Sequence, residues 1–339
     1  MSNKYVIHTD PAIIRKAGWK KYVLTHADGN FFQLPETFDL FQHVPGYTPY
    51  VFAAIDNNGK IGGVLVSVLQ QEPKFYAKLT SRSIIWGGPL VDNLEVCEIL
   101  LKEYQDTLGK KAIYTQFRNT FDTTKLKSTF QKMKFNYLEH LNFLVPTEAE
   151  STEKLLSAMS KSKSRQIKKG LSSVEIIETN REEDVNDFYR LLQNLYHEKV
   201  NKPLAPKEFF DYFREQIVPN GLGKFLLIRH EGKIIGGIVC PIFPGKAIYE
   251  WYIAGMDKEY KDQYPSILST WAAIAEGHKM GLKHFDFLGA GKPDADYGVR
   301  DFKAKFGGEL IQYGRYEKIH KPLLMKIGVL GLKILKFIK

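Results

Sequence analysis

The chain has 339 residues, of which 44% are apolar, 13% aromatic and 25% charged, with a formal net charge of +10 at pH 7. This balance excludes collagenous, disordered and low-complexity chains, and at about 150 residues per domain the length predicts two cores. No uncharged apolar run approaches the roughly 20 residues of a membrane span, and the opening Met1-Ser2-Asn3-Lys4-Tyr5 carries no apolar signal region. A protein that is not exported is therefore expected.

In chain order, the elements occur twice. An apolar strand at 50–55 runs through the turn Asn58-Gly59-Lys60 into a second strand at 61–66, and the same pattern returns at 224–229, Glu231-Gly232-Lys233 and 234–239. A glycine in such a turn is what a tight hairpin requires. Each hairpin is followed by a strand (82–87 and 247–254), a helix (93–108 and 266–280), a strand (112–117 and 284–288) and a closing strand (137–144 and 309–316). Repetition at domain length reads as duplication. The order is that of an acetyltransferase-like (GNAT) fold. The predicted class is α+β: two tandem GNAT-like domains, each a mixed, mostly antiparallel sheet flanked by helices, at 1–148 and 149–320. Thr147 and Glu150 have capping-box spacing for a helix over 151–170. Residues 321–339 read as a basic amphipathic C-terminal helix.

The charge has a location. Residues 1–150 hold 17 basic against 15 acidic side chains, and residues 151–339 hold 31 against 23. The surplus sits in two acid-free stretches, 161–169 and 321–339, each with five cations. On a helix, Lys161, Arg165, Lys168 and Lys169 share an arc of about 100°, with Lys163 off the pattern. Concentrated patches of this kind suit polyanions: phosphates, RNA or anionic lipid. Cys97 and Cys240 have no metal or redox spacing, and no phosphate loop, metal-binding histidine pair or nucleophile elbow is present.

Four passages carry a family resemblance: Asn30-Phe31-Phe32-Gln33-Leu34-Pro35; Lys163-Ser164-Arg165-Gln166-Ile167-Lys168-Lys169; Tyr252-Ile253-Ala254-Gly255-Met256-Asp257; and Phe285-Asp286-Phe287-Leu288-Gly289 with Asp301-Phe302-Lys303-Ala304-Lys305-Phe306-Gly307-Gly308. Together they resemble the Fem family (FemABX) of peptidoglycan bridge-forming aminoacyltransferases and related duplicated-GNAT acyltransferases. The resemblance implies an acyltransferase that uses aminoacyl-tRNA as donor and no cofactor. Its acceptor is then an amine of a lipid-linked or nucleotide-linked muropeptide precursor. An acyl-CoA-dependent N-acyltransferase acting on an amino sugar is the alternative, and a non-catalytic RNA- or glycan-binding member is a third reading. The segment 258–266 lacks the glycine loop that cradles the CoA pyrophosphate in ordinary GNAT enzymes.

Acyl transfer to an amine requires a neutral amine, a stabilised oxyanion and two reactants held together. Lys303, on the family's "F-K" position, and Lys305 are the expected oxyanion stabilisers. Asp286 is the expected proton acceptor. Arg165, Lys168, Lys169 and Lys161 are the expected phosphate or RNA contacts, Lys199 and Lys202 lie on a substrate-rim loop, and no metal site is expected. Strand alternation sets Trp251 and Tyr252 on opposite faces, with Tyr252 toward the cleft by resemblance. The absent signal region and the lone cysteines predict a cytoplasmic protein; the tail is expected either to lie on an anionic inner leaflet or to pack back on the first domain.

Overall fold

A computed structural model describes residues 4–71, 80–198, 200, 203–295 and 298–328. The chain divides into two compact units, Met1–Glu139 with Tyr313–Lys339, and His140–Gln312. In the first come β1 (Tyr5–His8), α1 (Pro11–Lys16), α2 (Trp19–Thr25), α3 (Pro35–Gln42), β2 (Tyr47–Asp56), β3 (Ile61–Gln70), β4 (Arg82–Trp86), β5 (Leu90–Val91), α4 (Leu94–Leu108), β6 (Tyr114–Arg118), α5 (Lys127–Lys132) and β7 (Asn136–Leu138). The second holds β8 (Asn142–Pro146), α6 (Thr152–Ala158), α7 (Lys161–Leu171), β9 (Glu175–Thr179), α8 (Glu182–Glu198), α9 (Lys207–Tyr212), β10 (Gly223–His230), β11 (Lys233–Phe243), β12 (Ala247–Tyr249), β13 (Tyr252–Gly255), α10 (Pro265–Lys279), β14 (His284–Asp286), α11 (Gly298–Ala304) and β15 (Glu309–Ile311). The last strand, β16 (Arg315–Ile319), returns to the first unit.

Each unit is built on an eight-stranded sheet, ordered β1-β2-β3-β4-β6-β16-β7 with β5 on β3, and β15-β8-β14-β12-β11-β10-β9 with β13 on β11. Pairing is antiparallel except β4 with β6 and β12 with β14. Two α+β units with GNAT order are thus present, as the repeats imply. The closing strands are a correction. The runs read as 137–144 and 309–316 each break in two, and the second pieces change sheets: β8 pairs β14, and β16 pairs β6. The units accordingly part at 139/140 and 312/313, and not at 148 and 320. Strand pairing is non-local, so alternation within a strand carries no record of which sheet receives it.

Local chemistry explains the repeated parts. Glu231 and Gly232 both have positive φ, 47° and 79°, the pair that a tight hairpin turn demands. A Cβ at Gly63 would lie 2.5 Å from Val96 of α4, and one at Gly237 would lie 2.4 Å from Leu227 and 3.0 Å from Phe188 of α8. The second glycine of each Gly-Gly pair therefore lets a helix seat on its sheet. The core of the second unit joins Ile235, Ile238 and Ile248 of the sheet to Leu268, Trp271 and Ile274 of α10.

The helix expected over 151–170 is two helices. Ser151, not Thr147, caps the first; the Thr147 hydroxyl instead donates to the Leu282 carbonyl. Ser160 opens the second with its Oγ accepting from Lys163 N at 3.3 Å, and buried Met159 fixes the break. In the tail, residues 322–328 are helical, with Leu323 76% and Ile327 56% exposed; Lys333, Lys336 and Lys339 lie outside the described residues.

Candidate active site

In the second unit the sheet opens at one point. Strand β11 pairs with β10 along one edge, but its other edge is shared by two short strands, β12 and β13. Glu250 and Trp251 separate them: Glu250 N donates to Asp286 O (2.9 Å) and Trp251 N donates to Val239 O (3.1 Å). Strand β12 runs parallel to β14 through Tyr249 and Asp286, and there the pairing ends. A crevice at the carboxyl ends of two parallel strands that then separate is where open α/β sheets place ligands.

Four polar side chains converge at this opening. Lys303 is 7% exposed, and its Nζ donates to Glu250 Oε1 (2.8 Å), Gly289 O (2.9 Å) and Phe287 O (3.1 Å). Three partners use all three ammonium donors. The ammonium also sits 4.8 Å from the Phe287 ring centroid. Asp286, 1% exposed, accepts at Oδ1 from Asn142 Nδ2 and from Leu288 N, both at 2.7 Å. Asn142 Oδ1 in turn accepts from Gly289 N at 2.7 Å. The turn 287–289, with Leu288 at φ 54°, is therefore clamped from three sides. The sequence motif Phe-Asp-Phe-Leu-Gly and the lysine of Phe-Lys meet here.

Glu250 was missed by the sequence reading; its signal was a lone carboxylate within the apolar run 247–254. Lys305 parts from Lys303: it is exposed, and its carbonyl accepts from Ser160 N at 3.0 Å. Lys303 lies in the last turn of helix α11, and Lys305 lies in the turn just beyond its end.

Burial lifts the Asp286 carboxyl to about 6, against the hydrogen bonds from Asn142 and Leu288 and the nearby Lys303 cation. A folded-state value above the unfolded one, about 3.9, means the folded chain binds more protons between pH 4 and 6. Stability from this group is therefore present below about pH 4 and is lost as pH rises toward 6. Asp286→Asn should remove that loss. Unfolding free energies of the two proteins from urea titrations, compared from pH 4 to pH 7, should diverge by on the order of 2–3 kcal/mol; parallel curves would mean that Asp286 titrates as an ordinary carboxylate.

The aromatic wall departs from simple alternation. Trp251 and Tyr252 both pack on Phe209 of α9, at centroid distances of 4.9 and 5.5 Å, and Tyr252 also meets Phe210 at 5.1 Å. They share a side because the strand is interrupted between β12 and β13, which breaks the period of two. Lys199 and Lys202, on the preceding loop, lie outside the described residues.

The first unit carries the same interruption at Gly87-Gly88-Pro89, between β4 and β5. There it is filled by the chain itself. Gln33, fully buried, donates to Trp86 O (2.7 Å) and accepts from Val66 N (2.8 Å), while Asn30 donates to Gly87 O (2.7 Å). This is the structural role of the Asn-Phe-Phe-Gln segment.

On α7 the cations divide three ways. Lys161, Arg165 and Lys168 are exposed and, with Leu156, Ser157, Met159 and Ser164, line a groove of about 330 Å³. Lys169 is bound to Asp262 at 2.6 Å. Lys163 turns inward, 4.2 Å from the Phe302 ring and 5.3 Å from Phe306, and burial with the neighbouring Lys305 charge holds its amine down to about 8.

At the start of α10 the Asp257 carboxylate closes the helix end. Its Oδ1 accepts from Ser266 N at 3.1 Å and its Oδ2 from the Ser266 hydroxyl. Helix N-termini attract anions, and here the anion is the chain's own. Among the described residues no three His, Cys, Asp or Glu side chains converge as a metal site.

Residues 157–303 match the family model of an acetyltransferase (GNAT) domain. No curated protein matches the chain. Among solved structures, the chain is similar to FemX at 14% identity and TM-score 0.72, over 95% of this chain and 99% of that one. It is also similar to L-PGS from Bacillus licheniformis, at 13% identity and TM-score 0.57 over 95% of each chain. A tandem GNAT protein from the clavulanic acid biosynthesis pathway has 7% identity and a TM-score of 0.53, over 93% of this chain and 98% of that one. At these identities the likeness is one of fold, and the fold is a duplicated GNAT architecture.

Proposed function

We propose that the protein is an acyltransferase that moves an aminoacyl group from aminoacyl-tRNA to an amine of a lipid-linked or nucleotide-linked muropeptide precursor. The observation that carries this reading is the closed N-terminus of α10. Where an ordinary GNAT enzyme seats the CoA pyrophosphate, this chain holds Asp257 against Ser266. A donor phosphate would meet a carboxylate at that position, which disfavours CoA and favours a donor held elsewhere. The duplicated fold shared with FemX supports the same choice.

In this reading the acceptor amine enters the opening beside Glu250, loses its proton to that carboxylate and attacks the ester carbonyl carbon. An amide bond forms, the carbon–oxygen bond to the ribose breaks, and the tRNA hydroxyl leaves with a proton. Lys303 holds Glu250 and the 287–289 turn in place; Asp286 fixes the same turn from the other side.

The rival, an acyl-CoA-dependent N-acyltransferase on an amino sugar, rests on the acetyltransferase model matched by residues 157–303. Equilibrium dialysis separates the two. Labelled acetyl-CoA is expected to pass without retention, while charged tRNA loses its aminoacyl group only when precursor is present. Retention and consumption of acetyl-CoA would establish the rival. The reaction belongs in the cytoplasm, where charged tRNA is available; no described helix is long and apolar enough to cross a membrane.

A further inference from the structure

We propose that the groove beside α7 is a docking site for the anionic phospholipid of a bilayer surface. Its wall is a row of three cations, Lys161, Arg165 and Lys168, at positions i, i+4 and i+7 of one helix face. None of the three has a carboxylate within 4 Å among the described residues, whereas Lys169 of the same helix is bound to Asp262. The hydroxyl-bearing Ser164 stands between them, and Leu156 and Met159 form an aliphatic floor.

Each part selects among polyanions. Unpaired cations in a row, about 10 Å from first to last at 1.5 Å per residue, suit neighbouring phosphates. RNA platforms without sequence preference add aromatic faces on which bases stack, and no ring lines this groove. Aliphatic side chains beneath cations instead suit the region where a phosphate joins glycerol and the first methylenes of an acyl chain. The groove therefore matches a phospholipid head and chain root better than a nucleotide. The inference stands apart from the acyl-transfer reading, since lipid binding is measured with no donor or acceptor present.

The test uses the full chain and vesicles of phosphatidylcholine, with or without a third of phosphatidylglycerol. The protein should sediment with the anionic vesicles only. Each basic residue near such a surface is worth about fivefold in binding, so Lys161→Glu/Arg165→Glu/Lys168→Glu should weaken it by on the order of a hundredfold or more with melting unchanged. Lys169→Ala/Asp262→Ala, which removes a neutral pair held by the same helix, should leave binding as it was. A soluble short-chain phosphatidylglycerol should bind at least about tenfold more tightly than glycerol phosphate if its methylenes reach the floor. Vesicle binding that survives the triple substitution overturns the proposal and assigns the lipid contact elsewhere, the lysine-rich tail included. Loss of binding to a short RNA hairpin in the triple variant, with vesicle binding intact, overturns it in favour of RNA.

Discussion

Replacing Lys303 with alanine is expected to cost about 3–5 kcal/mol of folding stability, the range for removing one partner of a buried ion pair. The Lys303 and Glu250 side chains are 8% and 9% exposed at a separation of 2.8 Å. Truncation leaves the Glu250 carboxylate buried beside the Phe287 and Gly289 carbonyls, which themselves lose their donor. A buried charge without a partner is far more costly than the pair is stabilising. Glu250→Gln in the alanine background should recover a sizeable part of the loss, because it removes the orphaned charge and keeps the shape. Urea denaturation of both single variants and the double closes the cycle. An alanine variant within about 1 kcal/mol of the parent would mean that the pair is solvated and contributes as surface pairs do.

Glu250→Gln alone should leave the fold largely intact, since the amide oxygen still accepts from Lys303, yet lower turnover by about a hundredfold to ten-thousandfold. The proton of the attacking amine then has no carboxylate to receive it at the opening. The Michaelis constants should move little. A variant that turns over at the parental rate would remove Glu250 from the chemistry and leave it a purely structural partner of Lys303.

Much of the fold was legible because its signals are local. The hairpin turns at Gly59 and Gly232 and the apolar stripes of the helices at 94–108 and 265–279 fall within a residue or two of where periodicity places them. The exchange of β8 and β16 between sheets was not legible, because it depends on partners more than 100 residues away, such as Asp286 opposite Leu144 and Arg118 opposite Arg315.

The site was legible in part for the same reason. Asp286 and Lys303 stand out in their motifs, but the residue that joins them, Glu250, is 53 residues from Lys303 and lies in what reads as one continuous strand. The interruption that breaks this strand also puts Trp251 and Tyr252 on a common aromatic surface, against the alternation that an unbroken strand would impose. On α7 the shared arc of cations was visible in the sequence. The capture of Lys169 by Asp262, 93 residues on, was not.

The most direct test of the central claim is the mass of the acceptor after reaction. The protein is incubated with muropeptide precursor, a pool of charged tRNAs and acetyl-CoA together, so that the donors compete for one opening. The account predicts a product heavier than the precursor by one amino-acid residue, formed by the parent protein and at least about a hundredfold more slowly by Glu250→Gln. A product heavier by an acetyl group, formed while the charged tRNA stays intact, would contradict it.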